Sequence, residues 1–378
     1  MTEARFGESG PWSLGVEEEV LILDSETLQP APAVETLLAD AQGLDLPGTL
    51  STELHASVIE LRTGICATAG AALAASSTLR READRLAARR GLRLAAAGSH
   101  PLARSEELAT VDLPRYRTLV EYAGVSARRQ GVNGLHIHVG MPSSEACMRA
   151  LEGLLPWLPL VLALSANSPY LAGVETGLLS NRAEVLAQLP RSGAPPVFGS
   201  YAGWAAFIER FRASGVELGG DYTSFWWDVR PHPRFGTLEV RMPDQPTSVA
   251  LSGALVALVQ ALAATVQRPG RWTVADRGVY QQNRWAAARF GTAARLIHPT
   301  RNATVSVQEL TDELLALVEP AVRELGTSAL LAALHPERCE AELQLELGRS
   351  RGLEALCADL VERSTMIPDG PAVGNPGG

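Results

Sequence analysis

Lysine is missing from this sequence: all 33 basic residues among its 378 are arginine. That absence excludes Schiff-base catalysis and the lysine of a P-loop. Any bound phosphate must be gripped by arginine, backbone amides or a metal ion. Net positive charge is lacking too. A formal charge of −9 argues against a general nucleic-acid surface, which needs a basic footprint, but leaves room for a local arginine cluster. Cysteine is scarce. Cys66, Cys147, Cys339 and Cys357 form no C-x-x-C pair, and no motif supports any of them as a nucleophile. The first residues are polar, with Glu3 and Glu8 and no apolar leader-like run. Reduced thiols in a cytoplasmic protein are therefore expected. No G-x-x-x-x-G-K-S/T, G-x-S-x-G or H-E-x-x-H occurs, so phosphate binding does not use a P-loop. The apolar run 249–266 approaches the length of a membrane span, but Ser252 and Gln260 interrupt it. It reads as a buried core helix, and no membrane association is expected.

Four short segments carry the chemistry: LGVEEEVLILD (14–24), VIELRTG (58–64), GLHIHVG (134–140) and GTLEVRMPD (236–244). In a strand, residues i and i+2 share a face. Glu17 and Glu19 therefore point one way, as do Glu60 and Arg62, His136 and His138, and Glu239 and Arg241. The opposite faces carry Val16, Val20 and Ile22; Ile59 and Leu61; Leu135, Ile137 and Val139; and Leu238, Val240 and Met242. One sheet face is apolar. The other suits a divalent metal and a phosphorylated ligand.

Two carboxylates on one face repel unless a cation lies between them. Magnesium takes one or two carboxylates together with substrate phosphates. His136 and His138 alone would suit zinc, but the carboxylates favour magnesium or manganese. Glu53 precedes Glu60 by seven residues, an odd separation, so both reach one site only if a turn or bulge intervenes. Arg230, Arg234 and Arg241 surround Glu239 and can grip phosphate or carboxylate in a bidentate fork. Residues 167–182 (NSPYLAGVETGLLSNR) read as a loop in which Asn167 can face a ligand and Arg182 can clamp an anion. Each feature has a plainer alternative: a solvated acidic strand, a turn glutamate, an ion-paired strand or a surface arginine.

Helices are expected over 67–90, 144–166 (interrupted at Pro156 and Pro159), 201–213, 249–267, 279–290, 305–325 and 336–362, with a loop at 191–200. Residues 1–11 and 367–378 read as flexible ends. No linker separates the elements, so one α+β domain over 12–366 is expected.

Taken in order, LGVEEEVLILD, ELHASVIELRTG, GLHIHVG, ALSANSPYLAGVETGLLSNR, LPRSGAPPVF, WWDVRPHPRFGTLEVRMPD and QQNRWAAARFG resemble the glutamate–cysteine ligase type 2 family, also called carboxylate–amine ligases. The resemblance covers roughly residues 12–295. It implies a mainly antiparallel sheet curled into a funnel with helices outside, similar to glutamine synthetase. It also implies ATP and Mg²⁺ (or Mn²⁺) on the inner face. By this resemblance Glu17, Glu19, Glu53, Glu60, His136 and Glu239 match metal positions. Arg241 matches an arginine beside the transferring phosphoryl; Glu239 and Arg182 join it as catalytic candidates, and Arg230, Arg234, His138 and Asn167 as nucleotide-binding ones. One departure is visible: Gln282 stands where relatives carry an acidic residue, and glutamine cannot supply that charge.

The implied reaction joins a glutamate-like carboxylate to an amine such as cysteine through an acyl phosphate, releasing ADP and phosphate. The expected partners are ATP and small amino acids, with no nucleic acid; a homodimer is compatible with the sequence. The rival readings are a metal-dependent hydrolase on the same face and a non-catalytic nucleotide-binding regulator.

Overall fold

The computed structural model describes residues 4–366. Its centre is a sheet of β1 (Leu14–Asp24), β2 (Gly48–Thr52), β3 (Val58–Thr63), β4 (Leu92–Ala95), β5 (Leu135–Gly140), β6 (Val229–His232) and β7 (Thr237–Val240). The strands run in the order β2-β3-β1-β5-β7-β6, with β4 added along the far half of β1. Every neighbouring pair is antiparallel. The sheet is open and mixed with many helices, which is the expected α+β class.

The apolar face is covered as its alternation requires. Helix Ala69–Ala88 lays Leu79, Ala83 and Leu86 on Val20, Ile22, Ile59 and Leu61. Helix Val249–Thr265 packs on Val16, Leu135, Ile137 and Val240. The latter is apolar all round because protein surrounds it. Both polar interruptions donate: Ser252 to Glu18 at 2.7 Å and Gln260 through Nε2 to the Trp12 carbonyl at 2.7 Å, while Gln260 Oε1 stays buried without a partner among the described residues.

Glu18 is a charge buried on this face. It is fully buried and takes a bidentate fork from Arg80, both bonds 2.7 Å long. Burial pushes its carboxyl up, but Arg80, Ser252 and Gln245 outweigh that and hold it below the usual range. Arg80 spends its remaining donors on the Thr247 and Pro246 carbonyls. The acidic triplet thus divides: its middle member ties β1 to the helical layer, and the outer two face the site.

Several bounds differ from expectation for physical reasons. The strand expected over 236–244 ends at Val240; the Arg241 N–H still reaches the Asp228 carbonyl in register at 2.9 Å, but Pro243 has no N–H with which to carry the ladder further. The helix expected over 336–362 is two helices, Glu340–Arg351 and Leu353–Thr365, broken at Gly352 with φ +87°. The helix expected over 144–166 is interrupted at Pro156, as expected, by a 3₁₀ turn, Leu155–Trp157, but Pro159 sits within the first turn of the next helix, Leu158–Ser165, and does not interrupt it. Helix Arg277–Phe290 begins two residues early because Asp276 caps the Gly278 and Val279 amides. Within the stretch 1–11 read as flexible, the Arg5 and Gly7 amides are bonded to the Pro233 and Met141 carbonyls, and Phe6 packs edge-on against Tyr201. Residues 1–3 and 367–378 lie outside the described residues.

Candidate active site

Strand register gathers the polar residues. Glu17 lies opposite His136 on one side and Arg62 on the other; Glu19 lies opposite Glu60. His138 lies opposite Glu239, and Glu239 opposite Arg230. All face a cavity of about 640 Å³. The far half of the same β1 face is closed, since Leu21 and Leu23 lie under helix Leu353–Thr365. Glu53 joins the site because a turn separates β2 from β3, as the odd spacing demanded.

The centre is crowded with charge. His136 Nδ1 lies 3.2 Å from Glu17 and His138 Nδ1 2.9 Å from Thr237 Oγ1. The Nε2 atoms of both histidines are buried without a hydrogen-bond partner among the described residues. Ligand atoms of Glu17, His136 and Glu239 lie within 4.8 Å of one another. Burial, with Glu19 and Glu60 nearby, pushes Glu53 well above the usual carboxylate range. Burial and Glu17 push Glu60 up to about 7. Glu17 resists the same burial through His136 and His138 and lies well below its ordinary value. Burial lowers His136, while Glu17 and Glu239 overcome burial and raise His138. Crowded carboxylates, two of them held partly neutral, and two orphaned imidazole nitrogens form a donor set that a divalent cation would satisfy.

The arginines flank this acidic group. Arg230 forks onto Glu239 at 2.6 and 3.2 Å and also reaches the Thr223 and Phe225 carbonyls. Arg241 Nη1 bonds the same carboxylate. Burial acts against the Glu239 carboxylate, yet the two guanidiniums hold it well below its ordinary value. Arg234 is exposed in the turn between β6 and β7, at the cavity rim.

Arg182 lines the cavity but is committed to backbone. It donates to the Arg241, Met242 and Pro243 carbonyls at 2.9–3.0 Å, leaving only Nε unpartnered among the described residues. It thereby fixes the chain just past β7. Gly134 permits this packing, since a Cβ there would lie 2.0 Å from Arg182 Nη2.

Asn167 does not reach the cavity. It is fully buried, and its amide donates to the Gln245 carbonyl at 2.8 Å and Thr247 Oγ1 at 3.0 Å. The expectation that Asn167 faces a ligand is therefore corrected. The polar residues of segment 167–182 serve instead to bind Asp244, which accepts from Ser168, Ser180 and the Asn167 amide. Residues Asn181–Leu186 of that segment form a short helix rather than loop. Gln282 is exposed on its helix and lines no part of the cavity.

Arg62, which spacing places on one face with Glu60, lines the cavity and forms an ion pair with that carboxylate at 3.2 Å. Several other lining residues were missed. Arg115, Tyr116, Gln130 and Trp226 come from connections and carried no pattern. The four cysteines are buried and unpaired; burial pushes the Cys339 and Cys357 thiols up to about 12, which disfavours a thiolate nucleophile.

The chain has clear relatives among known proteins. The profile of glutamate–cysteine ligase family 2 (GCS2) matches residues 13–343. A candidate glutamate–cysteine ligase 2-3 of Rubrobacter xylanophilus is 41% identical over 352 residues, covering 92% of each chain. A candidate glutamate–cysteine ligase 2 of Sorangium cellulosum is 35% identical over 376 residues, covering 97% of this chain and all of the relative. Among solved structures, a glutamate–cysteine ligase of Francisella tularensis in complex with AMP superposes with a TM-score of 0.70 at 13% identity, covering 94% of this chain and 88% of the other. A bifunctional glutathione synthetase of Pasteurella multocida gives 0.68 at 16% identity, covering 94% and 52%. At those identities the likeness is one of fold. The match across most of the chain and the identities above 30% place the sequence: it belongs to glutamate–cysteine ligase family 2, a family of ATP-dependent carbon–nitrogen ligases.

Proposed function

We propose that this chain, as one domain over residues 12–366, joins the γ-carboxylate of glutamate to an amine at the expense of ATP, with cysteine the acceptor that the relatives' names suggest. The carrying observation is one sheet face that holds an acidic–imidazole cluster directly beside the paired arginines Arg230 and Arg241. Glu17, Glu19, Glu53, Glu60, His136 and Glu239 would hold Mg²⁺ or Mn²⁺, which neutralises phosphate charge when bound. Arg241 presents guanidinium N–H groups toward the cavity and stabilises charge on the transferring phosphoryl. Arg182 keeps Arg241 in place by gripping its carbonyl. Arg234 meets the nucleotide phosphates at the rim, and His138, which lines the same cavity with its Nε2 unpartnered among the described residues, contacts the nucleotide.

A γ-carboxylate oxygen attacks the γ-phosphorus of ATP and the bond to ADP breaks. The amine then attacks the acyl carbon, and phosphate leaves with the bridging oxygen. No protein nucleophile is needed, which suits a chain without lysine and with buried cysteines. The reaction belongs in the cytoplasm, where ATP and glutamate are plentiful.

The test is ADP release that requires both glutamate and an amine, run with ¹⁸O-labelled glutamate carboxylate. Label must appear in inorganic phosphate. Amide product with unlabelled phosphate would sink the acyl-phosphate route, and label in AMP would indicate an adenylate. ATP cleavage without amine would point to a hydrolase.

A further inference from the structure

Segment 281–291 (QQNRWAAARFG) belongs to helix Arg277–Phe290 and its closing glycine, and none of its residues lines the cavity. Yet its Arg284 is among the largest fully buried side chains of the protein. A buried arginine–carboxylate pair is seldom more stable than apolar residues of the same volume. The directions in which Arg284 bonds therefore matter more than its charge. Its Nε donates to Asp228 Oδ2 at 2.8 Å, Nη2 to the Ala183 carbonyl at 2.8 Å and Nη1 to Glu184 at 3.2 Å. Tyr280, one turn earlier, donates its hydroxyl to the same Asp228 oxygen at 2.7 Å. Asp228 and Tyr280 are as deeply buried as Arg284.

These contacts converge on Arg241 from two sides. Asp228 immediately precedes β6, and its carbonyl accepts the Arg241 N–H at 2.9 Å. Ala183 follows Arg182, whose guanidinium holds the Arg241 carbonyl at 3.0 Å and the next two carbonyls at 3.0 and 2.9 Å. One planar guanidinium thus ties together the two elements that grip the peptide groups on either side of the Arg241 Cα.

We propose that Arg284 is a positioning residue of the ligase: it touches no reactant, and it aims the Arg241 guanidinium at the transferring phosphoryl by locking Asp228 and the Arg182 helix in one arrangement. The inference rests on the reading of Arg241 as the phosphoryl contact. The rival is that Arg284 serves stability alone. The two differ because positioning acts through Arg241, whereas stability acts on the folded fraction.

Arg284→Lys keeps a positive charge beside Asp228, but one ammonium cannot replace the planar fork across Asp228 and Ala183. The test measures ADP release per folded molecule at saturating ATP, Mg²⁺, glutamate and cysteine in wild type, Arg284→Lys, Arg241→Lys and the double variant. Arg284→Lys is expected to lower kcat roughly 10- to 100-fold, the scale on which misplacing a reacting group acts. KM for glutamate should stay within about twofold, since the interaction lost is one made in the transition state. In the Arg241→Lys background the same change should cost about twofold or less, because the fork being aimed is gone. Losses that multiply in the double variant overturn the proposal, and so does a wild-type kcat in Arg284→Lys, whatever its Tm. If Arg284→Lys does not fold, Asp228→Asn/Arg284→Gln removes both buried charges and carries the same expectation.

A second readout needs no amine. Affinity for ADP with aluminium fluoride and Mg²⁺, a mimic of the transferring phosphoryl, should fall about as far in Arg284→Lys as in Arg241→Lys while affinity for ADP alone holds. An unchanged affinity of Arg284→Lys for the mimic overturns the proposal. Failure of the underlying reading shows instead in Arg241→Lys alone, as a kcat and a mimic affinity near wild type. A wild type that releases no ADP with any amine fails the ligase reading, and the mimic then decides the role of Arg284 by itself.

Discussion

Replacing Arg241 by lysine separates charge from geometry at the phosphoryl site. The backbone there is fixed from both sides: the Arg241 N–H bonds the Asp228 carbonyl and its own carbonyl accepts from Arg182. Its guanidinium shares Glu239 with Arg230, which keeps two bonds to that carboxylate on its own. Arg241→Lys therefore leaves no uncompensated buried charge, and the fold should survive. What disappears is the planar fork that can serve Glu239 and a phosphoryl oxygen together. One charge-assisted hydrogen bond is worth about 1.5–3 kcal/mol. At 1.36 kcal/mol per tenfold this predicts a loss of roughly 10- to 150-fold in kcat. The assay is coupled ADP release at saturating ATP and glutamate, with Tm measured alongside. Tm should move by no more than about 2 °C, roughly the shift that about 1 kcal/mol produces in a large domain. A kcat within about twofold of wild type would remove Arg241 from contact with the phosphoryl. A large loss accompanied by collapse of Tm would make its role structural.

Other outcomes follow from the same distances. Excess EDTA should abolish turnover, and Glu17→Gln or Glu19→Gln should raise the Mg²⁺ concentration needed for half-maximal nucleotide binding; full activity in EDTA contradicts the metal assignment. Arg80→Met should cost about 3–5 kcal/mol by stranding Glu18 in the core, and adding Glu18→Leu should restore most of it; urea midpoints read both, and a tolerated single variant refutes the account. His100 is buried, donates through Nε2 to the Leu28 carbonyl and accepts the Leu102 and Ala103 amides at Nδ1, so burial lowers its pKa to about 4. A folded value below the unfolded one, about 6.5, gives stability that is complete above pH 6.5 and lost as pH falls through 4. The full contribution is about 3 kcal/mol. Urea midpoints between pH 7 and 4.5 should flatten in His100→Gln; an unchanged slope rejects this. Replacing all four cysteines with alanine should leave kcat intact in protein that folds, and loss of chemistry with retained Tm would reinstate a thiol.

Much of the site was legible because strand alternation is a strict code. Once Glu17, Glu60, His136 and Glu239 sit in strands flanked by apolar neighbours, period two decides which way each points, and antiparallel register brings them together. The same code puts Glu18 on the apolar face, although it cannot name Arg80, which arrives 62 residues later on a covering helix. Asn167 escaped for the opposite reason. A polar residue in a Pro/Gly-rich loop has no period, and its partners, Gln245 and Thr247, are near 80 positions away. Nothing local distinguishes an amide facing a ligand from one satisfying buried backbone. Arg182 lies between these cases. Its charge marked it as an anion clamp, but three carbonyls past β7 hold it, so its influence on chemistry passes through Arg241. The apolar part of the cavity lining was the least legible. Leu119, Leu186, Leu189 and Leu218 are ordinary core residues by type, and only the tertiary arrangement makes them line the cavity. The charged positions of this sheet are thus readable because a strand has a strict period, whereas lining residues that arrive from helices and turns have no period that points at a cavity.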